Sequence, residues 1–258
     1  MLLVHGWACD HTMFAPLMEH FRHSYRVIAV DLRGHGFSDK PHQEYTVAGF
    51  ADDLASLCRE LRIQKPVVIG HSMGGTVSLD LGARYGDLVS AVILIDSVIL
   101  PPPAVVEGLR PLARALYDEG YREALRRTVS SLFLATDNSE RKARLLSAMA
   151  DVPQHVLASA FRNHITEYDA TQAASRCRLP VAYIAAARQL ADLDRLLTLC
   201  PHLTVAQTLG SGHFSPLEVP DQVCAMIERF SKCATSVSPI LARSPSSCQL
   251  IFDRFVEA

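Results

Sequence analysis

The feature that most constrains this chain is the alternation of short apolar, β-branched runs with stretches of helical spacing. The runs are Leu2 to Val4, Arg26 to Val30, Pro66 to Ile69, Ala91 to Ile95, Pro180 to Ala185 and Leu203 to Gln207. Between them, amphipathic helices are predicted over Val47 to Leu61, Met73 to Tyr85 and Pro220 to Phe230. Such β-α-β order is the signature of a mostly parallel sheet flanked by helices, the α/β class. The order breaks once. From Pro101 to about Arg176 the strand signal vanishes into a run rich in Leu, Ala and Arg, helical over Leu109 to Leu116, Tyr121 to Phe133 and Arg141 to Met149. The three prolines Pro101-Pro102-Pro103 can continue neither strand nor helix and mark its entry. We expect a core of residues 1–98 and 177–231, a helical cap over 99–176 above the carboxyl ends of the strands, and an irregular Ser/Pro-rich tail over 232–258.

One turn carries chemistry. Gly70-His71-Ser72-Met73-Gly74-Gly75 follows the buried run Pro66 to Ile69 and precedes a helical stretch, so Gly-x-Ser-x-Gly falls at a strand-to-helix turn. A serine in such a tight turn needs glycines two residues before and after it, so that the backbones of strand and helix can approach. Its place at a helix N-terminus puts the Met73 amide and the helix dipole where an oxyanion develops. Ser72 is therefore the expected nucleophile.

In this context the sequence resembles the α/β-hydrolase superfamily, in its esterase, lactonase and haloperoxidase-like branch with a helical cap. His5-Gly6-Trp7 after the first strand resembles the oxyanion loop, which implies the Trp7 amide as a second donor beside that of Met73. The stretch Asp31-Leu32-Arg33-Gly34-His35-Gly36-Phe37-Ser38-Asp39 resembles the Asp-x-Arg-Gly-x-Gly-x-Ser segment of these enzymes, and Gly212-His213-Phe214 stands where the histidine does. Of the chain's eleven histidines, His202 shows no motif, and His213 lies after both the serine and every plausible acid, in the Gly210-Ser211-Gly212 loop after the last strand and in the order Ser, acid, His. The antiparallel hairpin usual before the His-Gly strand is expected to be missing, and the tail has no counterpart in the resemblance.

The acid is open. The usual place follows the strand Pro180 to Ala185, but that turn reads Ala186-Ala187-Arg188-Gln189, with neutral Gln189 where a carboxylate should stand. An amide cannot stabilise an imidazolium. Asp96, at the end of Ala91 to Ile95, is our first choice, because some relatives carry their acid at that strand end. Asp192 is the alternative after a loop shift, followed by Asp194 or a dyad without acid.

Composition excludes other classes. A formal net charge of −2 gives no footprint for nucleic acid or acidic lipid, and no apolar run is long enough to span a bilayer. The seven cysteines are scattered without a Cys-x-x-Cys pair, which predicts reduced core thiols rather than a zinc site or disulfides. With no secretory signal visible, a cytoplasmic location is expected. No metal or organic cofactor is implied. The reading is a serine hydrolase of a small to medium apolar ester, acting through an acyl-enzyme. A lactonase, a cofactor-free haloperoxidase or perhydrolase, a carbon–carbon hydrolase and a non-catalytic ligand-binding member are the alternatives.

Overall fold

The computed structural model describes residues 1–235 and 249–250. Elements follow in chain order as β1 (Leu2–Val4), α1 (Ala15–Phe21), β2 (Ile28–Val30), α2 (Val47–Glu60), β3 (Val67–His71), α3 (Met73–Arg84) and β4 (Ala91–Ile95). A helical insertion comes next: α4 (Pro103–Ala115), α5 (Tyr121–Ser130), α6 (Ser139–Ala150), α7 (Gln154–Arg162), a π-helical turn at Asn163–Glu167 and α8 (Thr171–Arg176). The core then resumes with β5 (Val181–Ala185), α9 (Leu193–Leu199), β6 (Leu203–Gln207), α10 (Ser215–Glu218), α11 (Pro220–Thr235) and β7 (Gln249–Leu250).

The strands form one sheet in the order β6-β5-β4-β3-β1-β2-β7, and among the described residues every pair is parallel. Among the described residues no antiparallel pair of strands is found. Parallel strands bury both faces, and β4 shows how the sequence meets that demand. Its Ile93 and Ile95 join the larger apolar cluster with Ile69 and Ala182, while Val92 and Leu94 join the cluster on the opposite face with Tyr183 and Leu79. Helix α2 begins at Thr46, whose side chain accepts a hydrogen bond from the Gly49 amide, and buries Val47, Phe50, Ala51, Leu54 and Cys58 along one stripe. Among the described residues no helix is long and apolar enough to cross a membrane.

The strand order also decides where a ligand can sit. The chain leaves β1 toward β2 on one side, while β3 lies on the other, so the order reverses between β1 and β3. Loops from the carboxyl ends of those two strands diverge there and leave a crevice. The loop after β1 begins His5-Gly6-Trp7, and the turn after β3 is Ser72.

Several expectations shift. Strand β2 is shorter than Arg26 to Val30, whereas β3 runs on through Gly70 and His71, which pair with Leu94 and Ile95. Short helices α1, α8, α9 and α10 carry too few turns for a stripe to show, and α7 is buried from Val156 through Phe161, so it has no polar face over that stretch. The irregular tail is not irregular from its start. Helix α11 passes residue 231 and ends at Thr235, supported by Lys232 Nζ on Glu228 Oε2 (3.4 Å), and Gln249–Leu250 pairs with Ile28 and Ala29. The remaining tail residues, 236–248 and 251–258, lie outside the described residues, and Cys248 with them. Five cysteines are buried, but Cys233 on α11 is exposed, so the expectation of core thiols does not extend to it.

Helix α3 lies against β1 so closely that a Cβ on Gly74 would stand 2.2 Å from the Val4 carbonyl oxygen and 2.4 Å from that of His5. Gly74→Ala is therefore expected to lower stability by about 3 kcal/mol through backbone displacement. Gly108→Ala in α4 is the control, because its Cβ would meet nothing within 4 Å. Urea unfolding midpoints check this; equal midpoints for Gly74→Ala and the parent would contradict it.

Candidate active site

Ser72 sits between β3 and α3 with φ 54° and ψ −120°, a left-handed backbone that costs a serine on the order of 1–3 kcal/mol. Packing imposes it. A Cβ on Gly70 would meet the Gly74 carbonyl at 2.2 Å, and one on Gly75 would overlap Ser97 Oγ at 1.7 Å, so only glycines let the turn close. The Ser72 amide donates to the Ile95 carbonyl (3.0 Å), which ties the turn to β4. Met73 opens α3 behind it, and first-turn amides have no acceptor within their own helix.

Asp96 follows β4 directly, with φ 41° and its side chain buried. Its amide donates to Ile184 O (2.8 Å), and its Oδ1 accepts from the Ala186 amide (3.2 Å). Its Oδ2 lies 2.7 Å from His213 Nδ1. A carboxylate only accepts, so Nδ1 carries the proton and Nε2 is left as the basic nitrogen. Asp192 is elsewhere: it caps α9, accepting from the Arg195 amide (3.0 Å). Asp194 is exposed in the first turn of α9, and the Gln189 side chain donates to Ala191 O (3.1 Å).

The loop bearing His213 is held from three directions. The His213 amide donates to Leu132 O (3.1 Å) in the helical insertion, while its carbonyl accepts from His71 Nε2 (2.7 Å). Glu218 accepts from the amides on either side, those of Gly212 and Phe214. Phe214 also stacks on Phe133 with ring centroids 4.6 Å apart. Sequence reasoning left Leu132, His71 and Glu218 without these tasks. The available signal was Glu218 itself, an acid in the short helix just after the histidine.

The loop after β1 is pinned similarly. His5 Nε2 accepts from the Leu32 amide (3.0 Å), so its Nδ1 carries the proton and donates to Gly6 O (2.8 Å). The Trp7 indole donates to Leu157 O on α7 (3.0 Å), and its ring meets Phe161 edge-on. Asp31 accepts from the amides of His11 (2.7 Å) and Phe37 (2.9 Å), which makes the Asp-x-Arg-Gly stretch a brace beneath this loop.

Ser72, His213 and Trp7 line one cavity of about 140 Å³, closed by Leu109, Met149 and Phe161 from the insertion. His164 also lines it, from the π-helical turn, its Nε2 3.0 Å from Thr76 Oγ1. No sequence motif marked that histidine. Among the described residues no group of three or more His, Cys, Asp or Glu is placed to hold a metal ion.

Burial holds four imidazoles neutral: His5 and His71 are pushed below the ordinary value, His164 to about 4 and His35 to about 3. In the unfolded chain they titrate near 6.5, so below that pH the unfolded state takes up protons that the folded state does not. Stability is accordingly complete above pH ~6.5 and falls as pH drops, each group contributing up to about 1.4 kcal/mol per pH unit. Urea midpoints between pH 7.5 and 5 are expected to decline steadily; a flat profile would contradict neutral burial.

Comparison with known proteins identifies the fold family. The family described as alpha/beta hydrolase fold matches residues 1–173. The 2-(acetamidomethylene)succinate hydrolase of Mesorhizobium japonicum is 29% identical over 250 residues, covering 89% of this chain and 87% of that protein. A putative esterase/lipase of Haemophilus influenzae is 25% identical over 241 residues, covering 89% and 82%. Among solved structures, a thermophilic esterase from Thermogutta terrifontis with malate bound superposes with a TM-score of 0.79 at 26% identity, over 90% of this chain and 89% of that one. The chain belongs to the α/β-hydrolase fold family.

Proposed function

We propose that this protein is a serine hydrolase of carboxylic esters or lactones with a small to medium apolar part, working through Ser72, His213 and Asp96. The observation that carries the proposal is the 2.7 Å contact between His213 Nδ1 and Asp96 Oδ2, beside a cavity that Ser72 and His213 both line. The names of the relatives, a hydrolase and a putative esterase/lipase, support the same class of reaction.

In this mechanism Ser72 Oγ attacks the ester carbonyl carbon while its proton passes to His213 Nε2. Asp96 orients the ring and stabilises the imidazolium that forms. The carbonyl oxygen becomes an oxyanion facing the amides of Trp7 and Met73. As the tetrahedral intermediate collapses, the bond to the leaving alcohol breaks and His213 returns the proton to that oxygen. Water, deprotonated by His213, then cleaves the acyl-serine, and the acid leaves with Ser72 regenerated. Residues 99–176 act as the cap, their Leu109, Met149 and Phe161 supplying the apolar wall.

Three outcomes test the reading with p-nitrophenyl esters. Ser72→Ala is expected to lower kcat by about 10⁴ or more with an unchanged unfolding midpoint; activity within tenfold of the parent would contradict it. Asp96→Asn should cost about 10³ to 10⁴, whereas Asp192→Asn, whose amide oxygen can still cap α9, should change the rate little. The reverse ranking would return the acid to the loop after β5. Chain length supplies the third test: kcat/KM should rise from acetate to longer acyl groups, and equal turnover across the series would argue against a cap-lined pocket.

A further inference from the structure

The walls of the cavity are apolar except at a few points, and one of them does not suit a plain hydrocarbon substrate. Arg188 lines the cavity together with Leu190. Its place follows from backbone bonds on the two preceding residues: the Ala186 amide donates to Asp96 Oδ1 (3.2 Å), and the Ala187 amide donates to Ser211 O (3.1 Å) in the loop that carries His213. The backbone is thus fixed up to the residue before Arg188, whose exposed side chain stands at the mouth of the cavity. The guanidinium stays charged at any working pH. Among the described residues no carboxylate lies within salt-bridge distance of it, and the residues lining the cavity include no Asp or Glu. Of the histidines there, His71 and His164 are held neutral by burial, and His213 is engaged by Asp96.

A lone guanidinium on the rim of an apolar cavity has a definite chemical complement. Low-polarity walls strengthen its field, and its planar fork matches the two oxygens of a carboxylate. A phosphate dianion would ask for more donors than one fork. On the serine-hydrolase reading above, we infer that Arg188 is a specificity residue that binds a carboxylate carried by the substrate, so that the preferred substrate is an anionic ester or lactone. The apolar wall takes the aliphatic part and Arg188 takes the charge.

Two matched ester pairs test this in the parent, Arg188→Gln and Arg188→Lys proteins. The first pair places the charge on the acyl side, mono-p-nitrophenyl adipate against p-nitrophenyl hexanoate. The second places it on the leaving group, the hexanoyl ester of 4-hydroxybenzoate against that of its methyl ester. In at least one pair, Arg188→Gln is expected to lower the charged-to-neutral ratio of kcat/KM about tenfold or more, mainly through KM, with partial recovery in Arg188→Lys. Unchanged ratios in both pairs would overturn the inference. Calorimetric binding of hexanoate against hexanamide decides the matter even where no ester is turned over. A preference for hexanoate that Arg188→Gln removes supports the carboxylate site although the serine reading has failed. Equal affinity, or no binding, overturns the site.

Discussion

The glycine-only contact between α3 and the strands beside it sets the geometry on which the rest of the molecule depends. Gly70 and Gly74 touch backbone to backbone, Gly74 lies against the carbonyls of β1, and Gly75 leaves the space that Ser97 fills. No side chain larger than hydrogen fits at any of these contacts. With α3 so close, the turn from β3 can close only through a left-handed residue, and Ser72 takes that strain with its side chain directed to the cavity. The same contacts bring the ends of β1, β3 and β4 together, so Trp7, Ser72 and Asp96 emerge side by side.

His213 comes from the far end of the core and needs a separate means of placement. Its loop has no strand to hold it, and the fixing bonds come from Leu132 in the helical insertion, from the His71 ring and from Glu218. Each anchors backbone, which leaves the imidazole to Asp96, its polar partner among the described residues. Burial raises the Glu218 pKa, and its two amide donors oppose that shift, so the anchor works against its own desolvation. The insertion thus serves two ends at once: it walls the cavity, and it sets the position of the histidine loop.

How much of this was legible in the sequence follows from which interactions are local. Strands β1, β4 and β6 were legible to the residue; β1 and β4 are fully buried runs bounded by turn residues, whereas β6 is largely exposed. The Ser72 turn and the chain order of the proposed residues Ser72, Asp96 and His213 were legible too, since glycine spacing and chain order survive in one dimension. Asp96 was readable only as a preference over Asp192, because the deciding fact is a contact between residues 117 positions apart. Glu218, His71, Leu132, His164 and Arg188 take their places through tertiary contacts that leave no periodic trace. The continuation of α11 through Ser231-Lys232-Cys233-Ala234-Thr235 was hidden by the weak helix formers Ser231, Cys233 and Thr235 and by the Ser/Pro-rich sequence that follows.

The central claim is that Ser72 is an activated nucleophile in a largely apolar cavity. A fluorophosphonate probe followed by peptide mapping tests it without any knowledge of the natural substrate. The account predicts a single adduct per chain, on the peptide containing Gly70-His71-Ser72-Met73-Gly74. Folded protein that remains unlabelled, or that carries the adduct on another residue, would contradict it.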